Sequence, residues 1–130
     1  MPGEVVTRTA IYSMGEDGIA RVVSRPGAQE TLADAQENLR ALAEVVGSGR
    51  RVPALVDGRL LHAIDREARA FYAGPGFTQL VSAVAVIVGS PLTRTILNAI
   101  LIVAKPRYPI RLFTTEAEAL AWIRGLPPEQ

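Results

Sequence analysis

His62 is the chain's only histidine, and it stands between Asp57 and Asp65, the arrangement from which general acid–base chemistry would be built. Such a role needs a substrate within hydrogen-bond reach and a third group to orient the imidazole. No serine nucleophile and no metal-ligand spacing accompanies His62, so it is read as a loop or surface residue. One histidine and no cysteine do not make a zinc site unless three carboxylates converge, so neither a metal nor another cofactor is expected. Gly74-Pro75-Gly76 is no phosphate-binding loop, because a P-loop ends in Gly-Lys-Ser/Thr, whose amides and lysine hold the phosphate. Ser90 precedes Pro91 and would offer amides to an anion at a helix start, but this pair is also the ordinary way to begin a helix. With no catalytic constellation in view, the chain is not expected to be an enzyme.

Composition narrows the remaining classes. The 130 residues carry a net charge of +1, from 14 basic and 13 acidic side chains, and 48% of them are hydrophobic. That length predicts a single domain over 1–130, able to bury roughly two-thirds of the surface its unfolded chain exposes. Thirteen of the basic residues are arginine and they are scattered apart from Arg50-Arg51, so nucleic acid is not an expected partner. The start lacks the pattern of a signal peptide, and no run approaches the ~20 apolar residues that span a bilayer. No integral membrane association is expected, and without cysteine nothing points to an oxidising compartment. The expected location is cytoplasmic.

Positioning elements follow from periodicity and turn chemistry. Residues 4–12 alternate and read as a strand, 14–18 as a turn and 19–23 as a second strand, which together make a hairpin. Leu32, Ala35, Leu39, Leu42, Val45 and Val46 fall at helical spacing over 30–46, with Gly47 as the stop. Residues 52–57 read as a buried strand. Asp65 is placed as the N-cap of a second helix running to about Ala73, which Gly74-Pro75-Gly76 ends or breaks. Residues 83–89 give another near-continuous apolar strand. Ser90-Pro91 opens a third helix to about Ala104, followed by a rigid loop over 105–109 and a strand over 110–113. Thr115 and Glu118 predict a capping box for a last helix to Ile123. The expected order is ββαβαβαβα: a mixed α/β sheet of about five strands with four helices, its parallel part joined by right-handed crossovers.

Two segments carry a family resemblance. ALVDGRLLHAIDREARAFY at 54–72 resembles the strand, aspartate, short apolar loop and helix-opening aspartate of STAS domains, with Asp57 and Asp65 at the same eight-residue separation. VGSPLTRTILN at 88–98 is similar to the family's strand followed by a Ser-Pro helix start and a helix with a basic residue, and FTTEAEALAWI at 113–123 to its closing strand and helix. The resemblance covers 54–123, with the earlier part matching in element order alone, and it extends to uncharacterised bacterial STAS/SEC14-like proteins. It implies the fold of anti-sigma-factor antagonists, termed SpoIIAA-like. In regulatory STAS domains the helix-opening aspartate is followed by two hydroxyl residues and a glycine, and a partner kinase phosphorylates the second hydroxyl. Arg66, Glu67 and Ala68 stand there in this chain, so Glu67 replaces the phosphorylated serine and a switch of that kind is not expected.

The third helix carries an anomaly of its own. From Ile96 to Ala104 every residue but Asn98 is apolar, more than one buried stripe requires. The excess either packs under the 105–109 loop and neighbouring helices or forms a patch for a second copy or an apolar ligand. Ile100, Ile102 and Val103 are the candidate self-association residues of a homodimer, with Arg107 and Tyr108 beside them as candidate anchors. Phe71, Tyr72 and Phe77 cluster in sequence and are read as core, the alternative being closure over a small apolar molecule. Trp122 is expected against the sheet. The resulting expectation is a regulatory protein-interaction module whose partner of unknown identity meets Asp57, Asp65, Arg66, Glu67, Ser90, Arg94, Arg107 and Tyr108. The alternative is a carrier of a lipid or other small apolar ligand, of SEC14-like type.

Overall fold

The computed structural model describes residues 3–104 and 107–127; the side chains of Ile96 and of residues 99–104 are outside that description. Candidate self-association residues Ile100, Ile102 and Val103 therefore lie outside the described side chains.

The N-terminal stretch read as one strand is two, β1 (Val5–Val6) and β2 (Ala10–Met14). Thr7 makes the break: its hydroxyl accepts the backbone N–H of Ala10 at 3.0 Å and donates to the Asn38 side-chain oxygen at 2.7 Å, so the chain bends there. Such local side-chain bonds compete with a sheet ladder. β3 (Ala20–Ser24) closes the hairpin, with Gly18 at φ +79° supplying the left-handed conformation its turn needs. A two-residue strand β4 (Gln29–Glu30) leads into helix α1 (Leu32–Val46). Thr31 caps α1 in a reciprocal box, accepting from the Asp34 amide at 3.3 Å while the Asp34 carboxylate accepts from the Thr31 amide at 2.9 Å.

β5 (Val52–Asp57) occupies the expected residues, and the loop after it holds β6 (Ala63–Ile64), which pairs in parallel with β4 as a separate small ladder. Helix α2 (Arg66–Tyr72) ends before Gly74, and Pro75 starts a further single turn, α3 (Pro75–Thr78). A proline at a first helical position needs no hydrogen-bond partner for its nitrogen, which is why the Gly-Pro-Gly segment both stops one helix and starts the next. β7 (Val81–Ile87), α4 (Pro91–Ala104), β8 (Ile110–Phe113) and α5 (Glu116–Arg124) complete the chain.

The main sheet has six strands in the order β1, β2, β3, β5, β7, β8, antiparallel up to β3 and parallel from there. The α/β class and mixed sheet are as expected; β1, the β4–β6 ladder and α3 are additions. One core layer joins Tyr12, Val22, Ala54 and Val84 to Leu42 and Val45 of α1 and to Phe77 of α3. On the other face Leu55, Ala85, Ile87 and Phe113 meet Ala119 and Ile123 of α5. Full burial of a side chain such as Ile87 contributes about 1.5–3 kcal/mol. α5 packs on β5, β7 and β8. One register row, Val6, Ile11, Val23, Asp57, Ile87, Phe113, crosses all six strands, and beyond the reach of α5 its members Val6 and Val23 are 57% and 41% exposed.

Candidate functional site

The parallel strands all end at one edge of the sheet, where Val23, Asp57, Ile87 and Phe113 stand in register. In open α/β sheets this carboxyl edge is where ligands are met. Asp57, the last residue of β5, has an arginine fork over it: Arg59 donates from Nε at 2.9 Å and from Nη2 at 2.7 Å, and the Arg59 amide bonds Oδ1 at 3.2 Å. That guanidinium holds the Asp57 carboxyl below the usual carboxylate range, against the opposing effect of burial. Asp57 thus anchors its own loop rather than presenting a bare charge. Gly58 joins the loop to the next strand, donating to the Ile87 carbonyl at 3.0 Å.

From there the chain exposes Leu60 (56%) and His62, then returns to the fold through the β4–β6 ladder. Asp65 stands at the N-cap position of α2 with extended backbone, but its carboxylate makes no capping bond. It accepts instead from the Gln29 side chain at 3.3 Å, while its amide donates to the Glu30 carbonyl. The expected capping role is corrected accordingly: the β4–β6 ladder draws Asp65 toward β4. Arg66 and Glu67 are exposed in the first turn of α2, and Glu67 makes no hydrogen bond or ion pair among the described residues. The carboxylates flanking His62 in sequence are thus bonded elsewhere, to Arg59 and Gln29. Ser90 caps α4 as expected, its hydroxyl accepting the Thr93 amide at 3.1 Å.

Of the remaining expected residues, Arg107 and Tyr108 do not join this surface. Arg94 is half-buried and lines a groove with Thr95 and Asn98 of α4, Arg111, Leu112 and Phe113 of β8, and Glu118 of α5. Arg107 and Tyr108 precede β8 and sit at the opposite end of the sheet from Asp57. Arg107 is exposed, but Tyr108 is half-buried against the α1-side core and its hydroxyl donates to the Tyr72 carbonyl at 3.4 Å. Burial raises its phenol pKa. Thr115 caps α5 by accepting the Glu118 amide at 3.2 Å; its hydroxyl also donates to the Glu118 carboxylate at 3.0 Å, in place of the return bond a capping box would have.

A polar cluster behind the surface escaped the sequence reading. Glu30, 5% exposed, accepts from the Thr9 hydroxyl at 2.7 Å, the Asn38 amide at 2.9 Å and the Tyr72 hydroxyl at 2.7 Å. Asn38, fully buried, also donates to Tyr72 at 2.9 Å and accepts from Thr7. Beside it Arg8 forks onto Asp34, donating from Nε at 2.8 Å, and holds that carboxyl well below the carboxylate range. Burial, and secondarily the nearness of Glu30, pushes the Tyr72 hydroxyl above the ordinary phenol range. The cluster ties β4, α1 and α2 together, and so fixes where α2 presents Arg66 and Glu67. Its signal in the sequence was Asn38 itself, a polar residue between Ala35 and Leu42 on the buried stripe of α1.

The aromatic cluster is core. Phe77 meets Phe71 edge-on at 6.0 Å and Tyr72 at 5.1 Å, and Trp122 leans on Phe113 at 5.8 Å. No helix among the described residues is long and apolar enough to cross a membrane.

The family model for a domain of unknown function, DUF7793, matches residues 13–126. The chain belongs to that family. No curated protein matches the sequence of this DUF7793 domain. Its structure is similar to an uncharacterised DUF3478 protein with a SpoIIAA-like fold from Shewanella loihica PV-4, at 16% identity and a TM-score of 0.61 over 93% of this chain and 90% of that one. It is equally similar to an anti-sigma factor antagonist from Mycobacterium paratuberculosis, at 18% identity and a TM-score of 0.61 over 89% and 93%. A protein of unknown function from Arthrobacter sp. FB24 is 31% identical over 88% of this chain and 99% of that one, with a TM-score of 0.34. The DUF7793 domain therefore has the SpoIIAA-like, STAS-type fold that its sequence resembles.

Proposed function

We propose that the chain is a non-enzymatic, cytoplasmic regulatory module that binds a protein partner through the loop over 57–65 and the first turn of α2. The observation that carries this reading is Glu67: exposed, unpaired among the described residues, and held at the carboxyl edge of a SpoIIAA-like sheet by the Glu30 cluster behind α2. In regulatory STAS domains a hydroxyl at this place gains a phosphate; a glutamate there carries its negative charge permanently. The favourable interaction of an acid with a helix start is worth about 0.3–1 kcal/mol, so stability alone is a modest reason for its presence. Leu60 in the loop before α2 supplies exposed apolar surface, and Arg66 a donor of the type enriched at interfaces. The carrier reading is less favoured, because Phe71, Tyr72 and Phe77 fill one another's edges and the core beneath.

Glu67→Lys and Glu67→Ser test the reading. Both should fold as wild type; the lysine variant should lose the partner that wild type retains from a lysate of the source cells, and the serine variant should weaken it. Unchanged capture by Glu67→Lys would remove this surface from the account.

A further inference from the structure

Among the described residues β8 is an edge strand, bonded to β7 alone. The Val84 amide donates to the Pro109 carbonyl and the Val88 amide to the Phe113 carbonyl, both at 2.8 Å, so the ladder engages the odd-numbered residues. In a parallel pair the N–H and C=O of one residue point the same way and those of the next point oppositely, which turns the backbone groups of Ile110 and Leu112 outward. The groove containing Arg94 lies where α4 packs on β8, beside the last three residues of the strand. Arg111, Leu112 and Phe113 all line it, with residues of α4 and α5 beside them.

The charges around that edge are distinctive. Arg94 comes from α4 and Arg111 from β8 itself, and neither meets a carboxylate within ion-pair distance among the described residues. Arg111 lies 5.8 Å from the Phe113 ring and 5.9 Å from the Trp122 ring, which holds its guanidinium over the groove. Asn98 adds a side-chain amide that makes no hydrogen bond among the described residues. The one acid in the lining, Glu118, accepts from the Thr115 hydroxyl and keeps its charge, against the two arginines. An open strand edge recognises extended backbone, and arginines beside it select carboxylates.

We propose that this groove binds an extended acidic segment of a partner protein, which pairs with Ile110 and Leu112 as an added strand and places its carboxylates on Arg94 and Arg111. The site draws on α4, β8 and α5 and uses no residue of α2.

The probe is an acetylated heptapeptide of alternating threonine and glutamate, titrated into the full chain by isothermal calorimetry. Comparison peptides carry lysine for glutamate, or N-methyl groups on alternate backbone nitrogens. The acidic peptide should bind and the other two should fail; Arg111→Glu and Arg94→Glu, each checked for folding by circular dichroism, should each weaken binding at least tenfold. Amide hydrogen exchange at Ile110 and Leu112 should slow in the complex, and Glu67→Lys should leave the affinity unchanged. Binding of the lysine peptide, equal binding of the N-methylated peptide, or full competition by free glutamate would overturn the proposal, the last by showing a simple anion site. Unslowed exchange at both residues would overturn it as well.

Discussion

Tyr72→Phe removes a single oxygen, yet in this structure that oxygen ends two bonds. It donates to Glu30 Oε1 at 2.7 Å and accepts from Asn38 Nδ2 at 2.9 Å. Asn38 keeps the Thr9 hydroxyl and Glu30 Oε2 as acceptors, whereas Oε1 loses the donor shown for it inside a carboxyl group that is 5% exposed. Leaving a buried acceptor without its partner costs about 1–3 kcal/mol, and the ring's packing on Phe77 is unchanged, so no cavity adds to that figure. For a domain of this length the loss corresponds to a melting temperature lower by roughly 4–10 °C. Urea unfolding followed by circular dichroism measures it directly, and the slope with denaturant should not change. Glu30→Gln in the same background completes a double-mutant cycle, in which two groups in contact should couple by more than about 0.5 kcal/mol. A Tyr72→Phe variant within about 0.5 kcal/mol of wild type, with no coupling to Glu30, would refute the claim that this cluster clamps α2 to α1.

Two further outcomes rest on the ion pairs. The Asp34 carboxyl is depressed in the folded chain, chiefly by the Arg8 guanidinium, so its contribution to stability is fully present above the unfolded carboxylate pKa of about 3.9 and is lost as pH falls through that value toward the lower folded one. Chemical denaturation between pH 6 and 2 should therefore show an acid limb that Asp34→Asn flattens, and an unchanged limb would contradict the assignment. Arg59→Ala should return the Asp57 carboxyl upward toward the ordinary aspartate value, read from its carbon-13 shift against pH; a titration identical to wild type would mean that the fork over Asp57 is not formed in solution.

Much of the fold could be read from the sequence because its strongest signals are local. The apolar runs at 52–57 and 83–89, the Ser-Pro start of α4 and the stripe of α1 are set by burial period and cap chemistry, although the second strand itself spans 81–87, two residues earlier than its apolar run. What stayed hidden depends on contacts distant in sequence. The Thr7 bend is made by Asn38, 31 residues away, and the Glu30 cluster draws on residues as far apart as Thr9 and Tyr72. Asp65 was legible as the position that opens α2 but not as a side chain drawn off to Gln29, because a two-residue ladder such as β4–β6 is too short to leave a pattern. Tyr108 follows the apolar helix in sequence, which groups it with the candidate interface. In space it faces Tyr72 and the core.

The most direct test of the central claim places a photo-crosslinking amino acid at Leu60, Arg66 or Glu67 in turn, and at Gln36 on the exposed side of α1 as the control, in the source cells. The account predicts one discrete adduct of the same mass from the first three positions and none from Gln36. Adducts from Gln36 alone, or no adduct from any position on the α2 surface, would contradict it.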